Sequence, residues 1–298
     1  MLDALARLGN DVFTLIRDNQ YFIIHAPRQS GKTTLLLELT RRLNAEGQYY
    51  ALYCSLENLQ GVTDPKEGIP AIVTTIQRSL KRAKLPHALT FLDNLQMEAF
   101  TDVLQDALEA YCGKLDKPLV ILFDEADCLS GQTLITFLRQ LRNGYVNRTE
   151  APFVHSLALV GMRNIRDYRD EYRDPSQTLG SASPFNITKE TMTLRNFTSD
   201  EIKTLYDQHT ADTGQIFAED AVSLVFEQTQ GQPGLVNAVA RECVVKIAQN
   251  DFTRTITPDM AAQAIQNIIL RRDTHIDSLM ARLREERVRR VIEPMLVG

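Results

Sequence analysis

The sequence predicts an α/β domain whose sheet is buried on both faces, followed by an all-α domain. Short apolar runs at 22–24, 119–123 and 154–160 have the length and residue types of doubly buried strands. Segments of helical period separate these runs, as a layered α/β fold requires. Beyond Ser199 the periodicity is helical throughout, with no convincing strand. The change of pattern, marked by Asn196-Phe197-Thr198-Ser199, divides the chain into domains at 1–196 and 197–298.

In chain order, Leu2, Leu5, Leu8, Val12, Leu15 and Ile16 lie at helical spacing and predict one amphipathic helix over 2–18. The first strand follows at 22–24, and Leu35, Leu36, Leu39 and Leu43 mark the next helix. Residues 49–56 read as a second strand, and 65–84 and 97–111 as helices, with Pro65 and Pro70 near a helix start where proline is tolerated. The strand at 119–123 precedes a helix over 133–145 whose buried stripe is Leu134, Phe137, Leu138 and Leu141. After the strand at 154–160, a Ser, Gly and Pro-rich stretch at 176–184 reads as a loop, and 191–194 as a last short strand. Helices are then predicted at 199–211, 218–230, 234–250 and 258–271, the first with Ser199 as its cap.

Two strand ends carry the chemistry. The first strand runs into Ala26-Pro27-Arg28-Gln29-Ser30-Gly31-Lys32-Thr33-Thr34 and then a helix, which is the phosphate-binding loop arrangement. Backbone N–H groups of such a loop converge on phosphate oxygens, so residues Pro27 to Thr34 are the candidate contacts. Lys32 adds a mobile point charge, the Thr33 hydroxyl is a candidate Mg²⁺ ligand, and Gly31 lets the backbone approach the phosphate. The first glycine of the usual pattern is replaced by Ala26. The strand at 119–123 ends in Asp124-Glu125, a carboxylate pair suited to the metal shell (Asp124) and to polarising an attacking water (Glu125). Asp127 reads as a helix-start or surface carboxylate. At the tip of the strand at 154–160, Arg163 is the first candidate for sensing the γ-phosphate and Asn164 the second. Leu129-Ser130-Gly131-Gln132 resembles the signature of ABC transporters, but it follows the Asp-Glu strand and lacks one glycine, so it reads as a helix-capping turn.

Composition narrows the classes. A net charge of −5 provides no global attraction to nucleic acid or anionic membrane, and leaves only local basic patches. Cys54, Cys112, Cys128 and Cys243 form no CxxC pair, so neither a zinc site nor a disulfide framework is signalled, and Cys54 and Cys243 sit in apolar runs as core residues. No apolar run approaches the roughly 18 residues that span a bilayer, and a signal-peptide layout is missing at the start, so the chain reads as cytoplasmic. The segment 166–173 and the arginines at 282, 284, 287, 289 and 290 read as solvated faces, with an arginine finger and a phosphate-backbone surface as the functional alternatives.

With these motifs in view, the chain resembles the AAA-like, STAND-type P-loop ATPases of bacteria and archaea, relatives of AAA+ and Orc-type proteins. The resemblance rests on the phosphate-loop sequence, on Leu122-Phe123-Asp124-Glu125-Ala126-Asp127 and on Leu159-Val160-Gly161-Met162-Arg163. It also draws on Asn196-Phe197-Thr198 and Gly231-Gln232-Pro233-Gly234. It implies a P-loop three-layer sandwich with a parallel sheet in the order 5-1-4-3-2 and a helical lid. It implies ATP and Mg²⁺ as ligands, Lys32, Glu125 and Arg163 as catalytic residues, Thr33 and Asp124 at the metal, and Pro233 as a nucleotide contact. Relatives continue into a winged helix, which leaves this chain as either a minimal product or a fragment.

The function that follows is slow, Mg²⁺-dependent ATP hydrolysis used as a conformational switch, with a protein partner or self-association. Two alternatives stand beside it: an ATP-licensed, DNA-associated loader of Orc type, and a small-molecule phosphotransferase.

Overall fold

The computed structural model describes residues 3–8, 12–162 and 187–271. The chain divides into two compact units, one comprising Ala4–Pro27 and Gly31–Arg195, the other Met1–Asp3, Arg28–Ser30 and Asn196–Gly298.

The first unit holds a five-stranded sheet of β1 (Tyr21–His25), β2 (Tyr50–Ser55), β3 (Leu119–Asp124), β4 (Ser156–Gly161) and β5 (Glu190–Thr193). Its order is β2-β3-β4-β1-β5 with every pairing parallel, the order the resemblance implied. The two apolar clusters of the unit follow strand parity. Ile121, Phe123, Ile23 and Leu159 face a core covered by α3 (Pro65–Arg82), α4 (Val103–Cys112) and α5 (Gly131–Asn147). Val120, Leu122, Ile24 and Val160 face the other core, covered by α1 (Val12–Arg17) and α2 (Lys32–Glu46). Both faces of the central strands are therefore dry, which is why they read as unbroken apolar runs.

Parity also aims the chemistry. Asp124 continues the even-numbered face of β3, so its carboxylate emerges on the side of α2. A register slip of one residue would send it to the opposite face. The expected helix over 2–18 is instead a 3₁₀ turn, Ala4–Leu8, and the short α1, with 9–11 outside the described residues. The helix expected over 97–111 begins only at Val103, because 88–102 form a short 3₁₀ piece followed by successive turns.

The second unit packs α6 (Ser199–Thr213), α7 (Glu219–Thr229), α8 (Pro233–Arg241) and α9 (Pro258–Leu270) around Ile202, Val225, Val236, Cys243, Ala261 and Ala264. The cap of α6 is Thr198 rather than Ser199: its side chain accepts from Glu201 N–H while Glu201 accepts from the Thr198 N–H, a full capping box. The helix expected over 234–250 changes at Glu242–Ile247 into a π-helical turn. Buried Glu242 is held there by Asn267 and Arg271. Arg28–Ser30 belong to this same unit, and within it Gln232 Nε2 donates to the Arg28 carbonyl at 3.1 Å.

The turn Gly231-Gln232-Pro233 is tightly fitted. Gly231 has φ +70°, its carbonyl accepts from Phe197 N–H at 2.9 Å, and a Cβ there would meet the Phe197 carbonyl oxygen at 1.9 Å. Gly214 also has a left-handed φ, +81°, and among the described residues no atom lies within 4 Å of its Cβ position. Gly214→Ala should therefore cost only the conformational penalty of about 1–2 kcal/mol. Gly231→Ala, which adds a backbone clash, should cost on the order of 4 kcal/mol or leave the helical unit unfolded. Urea denaturation followed by circular dichroism compares the two.

Candidate nucleotide site

β1 delivers the chain to the loop, and α2 begins at Lys32. Ala26 is buried, donates its N–H to the Gly161 carbonyl at 3.2 Å, and has a negative φ, so the position requires no glycine. Pro27, Arg28, Gln29, Thr33 and Thr34 are exposed, while Ser30 is buried. Gln29 and Gly31 both take left-handed φ values, +57° and +86°. At Gly31, the N-cap of α2, that conformation explains the glycine. Lys32 is 7% exposed and its ammonium donates to the carbonyls of Ala26 and Pro27, each at 3.1 Å. The cation is thus folded back over the loop.

Asp124 is the meeting point. It is 1% exposed, and its Oδ2 accepts from the Thr33 hydroxyl at 2.7 Å and from the Tyr53 phenol at 3.0 Å. Its Oδ1 accepts from the Glu125 N–H at 3.0 Å. Three donors from β2, α2 and the turn after β3 satisfy one buried carboxylate, which isolated in such a place would be costly. Tyr53 was not among the expected site residues. Its hydroxyl is pushed well above the ordinary phenol range, first by burial and then by the Asp124 carboxylate.

Glu125 is half-buried and stands at φ +53°, a conformation that non-glycine residues rarely adopt and that recurs at functional sites. Burial first, then the carboxylates of Asp127 and Asp124, raise its pKa, and Lys32 pulls it back. Asp127 is more than a helix-start or surface carboxylate. Its Oδ2 accepts from the Met162 N–H at 2.8 Å, and a Cβ on Gly161 would meet its Oδ1 at 2.6 Å. It therefore ties the turn after β3 to the tip of β4. Arg163 and Asn164, expected just beyond that tip, lie outside the described residues, as do 166–173. Pro233 is buried at the first turn of α8, after the cap Gln232.

The donors suit a hard cation. Thr33 and Asp124 offer oxygen ligands beside exposed loop backbone, the set that Mg²⁺ takes when phosphates and water complete its shell. Among the described residues no group of three or more His, Cys, Asp or Glu could hold a metal.

A parallel sheet in this order, with a lysine-threonine loop after β1 and an Asp-Glu turn after β3, defines a P-loop NTPase fold. The model of the AAA domain family matches residues 16–168, and the chain belongs to that family. No curated protein matched the chain. Among solved structures it is similar to the Walker-type ATPase paby2304 of Pyrococcus abyssi, at 15% identity and TM-score 0.55, over 88% of this chain and 71% of that one. It is also similar to the Aeropyrum pernix ORC1 protein solved with DNA, at 14% identity and TM-score 0.55, over 90% and 66%. The ORC2 protein of the same organism, solved as ADPNP–ADP complexes, matches at 15% identity and TM-score 0.52, over 83% and 61%. The chain thus spans 61% of the ORC2 chain and 66% of the ORC1 chain, and at these identities the likeness shows the fold. No described helix is long and apolar enough to cross a membrane.

The carboxylate cluster makes a prediction about charge. In a carboxyl-resolved NMR titration, Glu125 should titrate above the usual glutamate value of about 4.3. Asp127→Asn removes a negative neighbour, which favours the carboxylate, so the Glu125 pKa should fall in that variant.

Proposed function

We propose that this chain binds ATP with Mg²⁺ and hydrolyses it slowly, using the bound state as a conformational switch of the STAND type. The observation that carries the reading is the Thr33–Asp124 hydrogen bond at 2.7 Å, which joins the phosphate loop to the buried carboxylate at the acidic strand end. The bond joins two motifs that lie 91 positions apart in sequence and that the reading assigns to one ligand.

Mg²⁺, when bound, neutralises developing charge on the phosphate oxygens. The chain's own groups do the rest. Backbone N–H groups from Gln29 to Thr34 orient the triphosphate, and Lys32 leaves the Ala26 and Pro27 carbonyls to pair with phosphate oxygens. Thr33 supplies a hydroxyl to the metal, and Asp124 holds that hydroxyl in place. Glu125 accepts a hydrogen bond from the attacking water and orients it, a role its raised pKa serves by making it a better base. Arg163 is proposed as the γ-phosphate sensor and Pro233 as a nucleotide contact, on the family resemblance. An ATP-licensed, DNA-associated role is the second reading. Fold likeness to the DNA-bound ORC1 protein favours it, and the arginines at 287, 289 and 290 on which it would rest lie outside the described residues.

Two variants separate binding from chemistry. Lys32→Ala removes charged hydrogen bonds to phosphate and should weaken ATP binding by about 10- to 100-fold in isothermal titration calorimetry. Glu125→Gln should keep the affinity within about threefold while phosphate release falls by roughly 10²- to 10⁴-fold. Wild-type turnover in the glutamine variant would remove Glu125 from the mechanism.

A further inference from the structure

We propose that Tyr53 is a positioning residue for the metal, a role that rests on the nucleotide reading above and extends it to a side chain outside both motifs. β2 pairs with β3 so that Tyr53 lies opposite Leu122 and Ser55 opposite Asp124. Tyr53 therefore sits one pleat below the acidic strand end, on the face shared with Leu122 and α2. From there the ring spans the pleat and its hydroxyl reaches the Asp124 Oδ2 at 3.0 Å, the oxygen that also accepts from Thr33. Tyr53 packs against the apolar cluster to which Leu35, Leu36 and Leu122 belong.

The consequence follows from counting donors on Asp124. Among the described residues, its Oδ1 accepts from the Glu125 N–H and its Oδ2 from two hydroxyls. When the Thr33 oxygen turns its lone pair to a cation, its proton alone leaves Oδ2 with a single rotatable partner. Tyr53 supplies the second, from a ring packed against the apolar cluster on the α2 side of the sheet. It holds the carboxylate fixed in rotation, so that Thr33 presents its oxygen rather than its proton to the metal. Outer groups that orient ligands in this way commonly account for about 10- to 100-fold in metal affinity. The partner carboxylate, Asp124, is buried, which makes the bond costly to exchange for water.

The test uses the full chain and a fluorescent, non-hydrolysable ATP analogue, titrated first without divalent ion and then with increasing Mg²⁺. In Tyr53→Phe, which keeps the ring and removes only the hydroxyl, the Mg²⁺ concentration for half-maximal tightening should rise by about tenfold. Analogue affinity without metal should stay within about threefold of wild type, since the loop contacts remain. A parallel fall in both affinities would mean a structural role only and would overturn the inference. Unchanged Mg²⁺ dependence in Tyr53→Phe, with wild type responding normally, would overturn it and leave the nucleotide reading standing. Wild type that binds the analogue with no response to Mg²⁺ would defeat both.

Discussion

One buried carboxylate holds this site together. Asp124 ends a strand whose apolar residues leave no room for water, and its two oxygens accept from Thr33, Tyr53 and the Glu125 N–H. Each partner comes from a different element: the parallel register of β2, β3 and β4 with β1 brings Tyr53 and the loop before Thr33 to Asp124, and Glu125 follows Asp124 in the chain. A charge so buried is tolerable only while those donors stay in place. The packing of both sheet faces and the chemistry at the sheet edge are therefore the same constraint. Asp127 extends it by one link, tying the acidic turn to the end of β4 through the Met162 N–H.

Much of this was legible in the sequence, and for definite reasons. Leu119 to Phe123 and Leu157 to Val160 are buried throughout, so the strands announce themselves as unbroken apolar runs. The lysine-threonine loop and the Asp-Glu turn are local patterns whose neighbours, strand and helix, can be read beside them. The sheet order needed the family resemblance, because nothing in one strand states which neighbour it pairs with. Thr198 with Glu201 was also there to be read, as the Thr-x-x-Glu spacing of a capping box, and the acidic first turn drew attention to Ser199 instead.

What stayed hidden depends on contacts between distant residues. Tyr53 looks like an ordinary β-former until β2 is set beside β3. Only then does parity put its hydroxyl on the Asp124 side, and a rule linking strand order to face would have found it. At Glu242 the helix passes into a π turn, and Asn267 and Arg271, more than twenty residues on, hold the Glu242 carboxylate. Helical period carries no trace of that. The separate 3₁₀ turn and short helix at the N-terminus escaped the same way: apolar spacing is similar for one helix and for two short pieces packed on a common core.

The claim that the Thr33–Asp124 pair is a metal-nucleotide centre meets its most direct test in crystals grown with a non-hydrolysable ATP analogue and Mn²⁺ in place of Mg²⁺. Anomalous scattering then locates the cation without reference to a refined geometry. The account predicts a single strong peak bonded to the Thr33 hydroxyl oxygen and to phosphate oxygens, with Asp124 one water away. A peak elsewhere, or an analogue bound in the loop while Thr33 still donates to Asp124 and no cation lies beside it, would contradict it.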